Sequence, residues 1–191
     1  MMLRWITAPF LAALLAGGCA DNGPATSKRS DACDVHPTKS SVPSNSSAGA
    51  AVERVTYGDQ VRGAEVVVVG TVRTSTVKPM RGANPFGVPL RTTTFAVDCL
   101  LRGRKADSKN MEVTEIFGED HAQGLTKNGT YLVFAEHRTL LGKYRRLVPM
   151  GAAQGIYAVN TRGQAFNESN GRHDLADVAR EVDNSPGPKT S

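Results

Sequence analysis

The chain has 191 residues, with 23 Lys and Arg against 18 Asp and Glu, a formal net charge of +5, and only 6% aromatic residues. That length fits one domain with tails rather than two domains, and the composition allows a modest, mostly aliphatic core. The basic balance favours an anionic neighbourhood, such as lipid headgroups, acidic wall polymers or nucleic acid.

Arg4 and the terminal amine precede an uncharged run from Trp5 to Gly18. An apolar core of about a dozen residues has the length of a signal h-region, and it is too short for a hydrocarbon core that takes roughly 20. The run ends Leu15-Ala16-Gly17-Gly18-Cys19, which resembles a bacterial lipoprotein signal peptide. The resemblance implies that residues 1–18 are removed and that Cys19 becomes a diacylglyceryl-carrying N-terminus, with palmitate-type acyl chains. Two chains anchor a protein where one binds only marginally. The expected location is the extracytoplasmic face of the cell membrane. Export makes lipid and wall polymer better partners than nucleic acid, so no nucleic-acid partner is expected.

Residues 19–51 are dominated by Ser, Pro, Asn, Thr and Gly. So few apolar groups do not offset ordering entropy, and a disordered tether is predicted. About 30 such residues span roughly 30 Å r.m.s.. Cys33 lies in this stretch and Cys99 in the folded part. Outside the cytoplasm they are a candidate disulfide pair. The bridge would close about 65 residues, for roughly 4 kcal/mol. The alternative is a buried free Cys99 and an exposed Cys33.

Residues 52–166 read as the folded domain. Val55 to Arg62 is a lead-in with room for one helical turn. Glu65 to Val72 is a β-branched strand that continues more weakly to Val77. A Pro- and Gly-rich loop reaches Pro89. The second strand runs from Leu90 to Leu101, with Phe95, Val97 and Cys99 alternating onto one face. Arg102-Gly103-Arg104-Lys105 is a basic turn. Met111 to Phe117 is a third strand, with Met111, Val113 and Glu115 sharing parity. Tyr131 to Ala135, Tyr144 to Val148 and Gly155 to Asn160 complete five or six antiparallel strands, which predicts a small barrel or sandwich. A short helix is expected at 172–183, with Leu175, Val178, Ala179 and Val182 in one stripe, followed by a disordered tail at 184–191.

Ala64-Glu65-Val66-Val67-Val68-Val69-Gly70-Thr71-Val72, then Thr94 to Gly103, then Gly129-Thr130-Tyr131-Leu132-Val133-Phe134 succeed one another as in a known family. In that order they resemble the netrin-like domain of tissue inhibitors of metalloproteinases and of bacterial extracytoplasmic proteins. The resemblance covers about Val52 to Asn160 and implies a mainly β, OB-type (oligonucleotide/oligosaccharide-binding) barrel of five strands. In those inhibitors a free N-terminal cysteine chelates a protease zinc. Cys33 follows Cys19 by fourteen residues and has no free amine there, so that mechanism does not carry over.

Neither a nucleophile elbow, a phosphate loop nor a paired-cysteine zinc pattern is present. His36, His121, His137 and His173 are dispersed, and Glu119-Asp120-His121 reads as a solvated turn. No catalytic residue, metal site or cofactor is assigned, and the expectation is a protein without enzymatic activity. The basic side chains do cluster, in Arg102, Arg104, Lys105 and Lys109 and in Lys143, Arg145 and Arg146. They form a candidate anionic-ligand patch. The expected function is a non-enzymatic, lipid-anchored module that engages a protein or a cell-wall polymer. Inhibition of an extracellular protease and electrostatic binding of anionic lipid or wall polymer are the alternatives.

Overall fold

The computed structural model describes residues 35, 37, 40–42, 54–79, 89–104, 107, 109–116, 125–140, 142 and 144–188. Cys19, Cys33, Lys105, Lys143 and the segment Glu119-Asp120-His121 fall outside them.

Thr56 opens helix α1 (Tyr57–Gly63) with a capping box: its hydroxyl accepts from Asp59 N, and the Asp59 carboxylate accepts from Thr56 N. Strands β1 (Val66–Pro79) and β2 (Pro89–Arg102) form a long antiparallel hairpin. β3 (Asn110–Ile116) pairs with β2, and β4 (Thr130–Leu140) with β1. β5 (Tyr144–Pro149) and β6 (Ile156–Val159) both pair with β4, on either side of a 3-10 turn at Ala152–Gly155. β7 (Gln164–Asn167) and β8 (Gly171–Asp174) continue the sheet. Helix α2 (Leu175–Asn184) ends the described fold.

The fold is mainly β, as expected, but it is one open antiparallel sheet of eight strands rather than a closed barrel of five or six. The order is β3-β2-β1-β4-β6-β7-β8, with β5 also on β4. β3 and β5 come alongside each other, yet no ladder joins them among the described residues. The extra strands straddle and pass Phe166, the expected end of the domain. β7 and β8 have four residues each, too short for a legible alternation. One core position of β7 is also polar. Asn167 is fully buried, its amide donating to Ala153 O and Ile156 O while its carbonyl accepts from Ser169 N. Residues 172–174, expected in the C-terminal helix, belong to β8. Asp174 instead caps α2, accepting from Ala176 N.

Both faces of the sheet are covered, which explains the unalternating Val66-Val67-Val68-Val69 run. All four valines are 3% exposed or less. Val66 and Val68 enter one cluster with Phe95, Met111, Tyr131 and Val133. Val67 and Val69 enter the other with Phe134, Tyr157 and the buried stripe of α2, Leu175, Val178 and Val182. Gly70 sits where a Cβ would meet Ala96 O at 2.8 Å, so the two strands approach too closely there for a side chain.

β2 does not keep the predicted alternation. Val69 pairs with Cys99 and Gly70 with Val97, so Asp98 is an extra residue, and Leu101 is skipped in the same way between Leu100 and Arg102. Bulges of this kind re-aim the side chains beyond them. Phe95 and Val97 face the first cluster, whereas Cys99 and Leu101 face the helix side.

The segment read as a tether is anchored to the sheet at residues 40–42. The Ser40 hydroxyl donates to Thr130 O at 2.7 Å and accepts from Thr130 N at 2.8 Å, standing in for a ladder neighbour. Tyr131 Oη donates to Ser41 O at 3.2 Å, and Val42 packs on the sheet interior. Thr130 is fully buried, so its amide cannot turn to water instead. Ser40→Ala is expected to cost about 1–2 kcal/mol in denaturant-unfolding stability. An unchanged midpoint would show the contact to be incidental.

Candidate functional site

Of the described residues of the predicted patch, the structure brings Arg104 and Arg145 to one cleft and sends Arg102, Lys109 and Arg146 elsewhere. Arg102 is not a ligand residue. Its Nη1 donates to Val61 O and Ala64 O at 2.6 and 3.1 Å, and its Nη2 to Val182 O and Ser185 O at 2.8 and 3.0 Å. One guanidinium therefore caps the carbonyl ends of both helices, where unpaired acceptors and the negative dipole end favour a cation. The bulge at Leu101 is what turns it there. Burial pulls this guanidinium below the ordinary arginine value. Lys109 is exposed, with its carbonyl accepting from Val97 N. Arg146 lies across from Arg138 on β5 and β4, one residue from Arg145 and so on the opposite face of the strand.

The cleft has a volume of about 430 Å³ and is lined by Glu65, Val66, Gly103, Arg104, Asp107, His137 and Arg145. Gly103, at φ +139, begins the turn after β2 in a conformation other residues rarely adopt. Asp107 holds that turn. Its carboxylate accepts from Arg104 N at 2.9 Å, and its own N–H donates to Arg104 O at 2.8 Å. The Arg104 side chain is largely exposed and stands 4.0 Å from Asp107. The exposed Arg145 of β5 pairs in register with Thr139, on the same face as His137. Its guanidinium has no hydrogen-bond or ion-pair partner among the described residues. His137 Nδ1 lies 2.6 Å from Glu65 Oε2, with both side chains less than a third exposed.

Glu65 and His137 are the residues that reading the sequence missed. They are 72 positions apart, and no local pattern joins them. Glu65 precedes β1 and His137 lies beyond the pairing of β1 with β4, so the sheet alone brings them together.

A second charged pair lies in the sheet. Arg91 is 8% exposed and faces Glu115 directly across β2 and β3. Burial pushes the Glu115 carboxyl up, and Arg91 pulls it back down. The pair shares strand parity with Phe95, Met111 and Val113, whose side chains are core. Tyr131, Phe134 and Tyr157 are fully buried as well, so these three rings offer no stacking surface for bases. Burial is the main cause that raises the phenols of Tyr157 and of Tyr57, whose ring stacks on His173 with centroids 3.7 Å apart.

Cys99 is disulfide-bonded and lies against the helix-side core. Its partner is outside the described residues, as is Cys33. Among the described residues no three His, Cys, Asp or Glu side chains gather as a metal set, and no helix is long and apolar enough to cross a membrane. No protein-family model matches the chain, and no curated protein matches its sequence.

Proposed function

We propose that this chain is a lipid-anchored, extracytoplasmic binding module whose cleft takes an anionic group of a cell-wall polymer. The observation that carries this reading is the meeting of Arg104, from the turn after β2, and Arg145, from β5, on one cleft of ligand size. A cleft wall bearing a guanidinium without a protein partner suits an anion, because Arg meets phosphate and carboxylate with a planar fork. Diacylglyceryl-Cys19 would hold the module at the membrane face, where anionic polymer is at hand. The architecture is of the OB type in this proposal. β1 pairs with β2 and β4, β2 with β3, and β4 with β5, and packing of β3 on β5 would close the seam. Cys33 is the proposed partner of Cys99, since Val35 packs into the same helix-side cluster as Cys99.

Retention of membrane-derived protein on an immobilised polyol-phosphate polymer tests the function. The native chain is expected to bind at low salt and to elute as salt rises. An Arg104→Ser/Arg145→Ser chain should lose at least about tenfold in retention, the equivalent of one charge-assisted contact, with an unchanged melting temperature. Cys19→Ser should release the protein from membranes without weakening polymer binding. Equal retention of the double variant would remove the cleft from the proposal.

A further inference from the structure

We propose that the cleft recognises an anionic group flanked by a hydroxyl, with the guanidiniums on the anion and His137 Nε2 accepting from the hydroxyl. This rests on the anion-binding reading and names the ligand chemistry of that same site. Three observations lead to it.

The first is the state of the carboxylates. Two of them line the cleft, and each is held by the protein: Asp107 accepts from Arg104 N, and Glu65 from His137. Both keep their charge, which the guanidiniums of Arg104 and Arg145 offset.

The second is the orientation of the imidazole. A carboxylate only accepts, so in a neutral imidazole the nitrogen beside it must carry the proton. In that neutral form Nδ1–H is given to Glu65 at 2.6 Å, and Nε2 is bare. A carboxylate partner fixes ring tautomer and direction in this way. Nε2 has no protein partner among the described residues, and His137 lines the cleft. The bare nitrogen is an acceptor, so it rejects an anionic oxygen and selects a donor.

The third is Arg145, which lies on the same face as His137 on the neighbouring strand. Arg145 offers only donors, and its guanidinium has no partner among the described residues. Arg104 adds a second guanidinium from the turn. A ligand that satisfies both the guanidiniums and the imidazole carries negative oxygens at one end and a hydroxyl beside them. Polyol phosphates have that arrangement, whether in a wall polymer or in a glycerol-bearing lipid headgroup.

The test compares inorganic phosphate with glycerol phosphate as probes, by NMR titration of the full chain. Glycerol phosphate is expected to bind about tenfold tighter, the size of one added neutral hydrogen bond. His137→Ala should abolish that preference. Arg145→Ser should weaken both probes. Glu65→Gln keeps the bulk of the side chain but loses the charge that orients the ring, and should narrow the preference even if His137→Ala disturbs folding. Failure of both probes to bind would overturn the anion-binding reading and this inference with it. Equal binding of both probes, unaffected by Glu65→Gln, would overturn this inference alone. Displacement of glycerol phosphate by a soluble polyol-phosphate oligomer would identify a polymer source. Displacement by phosphatidylglycerol vesicles instead would identify lipid headgroups with the same chemistry.

Discussion

Replacing Arg102 by Met is expected to lower stability by about 3 kcal/mol or more, read from denaturant-unfolding midpoints. The aliphatic stem survives in this variant, so the loss reports on the guanidinium. Val61, Ala64 and Val182, three of the four residues whose carbonyls it serves, are 6%, 0% and 3% exposed. Buried acceptors left without donors cost about 1–3 kcal/mol each, offset in part by water entry and relaxation. Arg102→Lys should recover less than half, because one ammonium cannot fork across the ends of two helices. Polymer retention by the folded fraction should be unchanged in both variants. A large drop in retention with no loss of stability would return Arg102 to the ligand patch.

Arg91→Met should behave differently, because its cost depends on pH. Removing one partner of a buried pair strands the other charge, typically at about 3–5 kcal/mol. Since Glu115 is only partly covered, about 2–3 kcal/mol is expected at pH 7. Burial raises the folded-state pKa of Glu115 above its unfolded value. Its contribution to stability is therefore full below the unfolded pKa and is lost as pH rises through the folded pKa. Arg91 opposes that loss in the native protein. In the variant the carboxyl is raised further, so the deficit should shrink as pH falls from about 7 toward about 4. Asp59 has the opposite sign. Bonds from Thr56 and Arg62 hold its carboxyl below the usual range, so its support for α1 is present above the unfolded value and fades in acid. That effect is common to both proteins and cancels in the difference. A deficit equal at both pH values would mean that Arg91 acts by packing alone.

Much of the fold is legible in the residues. The β-branched run at Val66, the Pro- and Gly-rich loop before Pro89 and the turn before Thr130 place β1 to β3 within a few residues of their observed ends and mark the start of β4, which runs five residues past the expected Ala135 to Leu140. The stripe Leu175, Val178, Ala179 and Val182 gives the buried face of α2 directly. These signals are local. Side-chain period and turn chemistry act over a few residues, and burial on one face enforces them. Half of the site is legible for the same reason. Arg104 and Arg145 stand in or beside turns, where a basic cluster is visible as composition.

The chain alone leaves open where those side chains point and which groups they meet. The two bulges of β2 exist because Asp98 and Leu101 have no partner on β1. Each reverses the direction of the side chains beyond it, so Cys99 turns to the helices and Arg102 becomes a cap rather than part of an anion patch. Likewise Glu65 and His137 form a pair only after β4 has joined β1. Local pattern and composition thus determine the strands, the helix stripe and the basic turns. Only tertiary structure separates the arginine that holds two helices from the two that face a cleft, because side-chain direction past a bulge is set by the neighbouring strand.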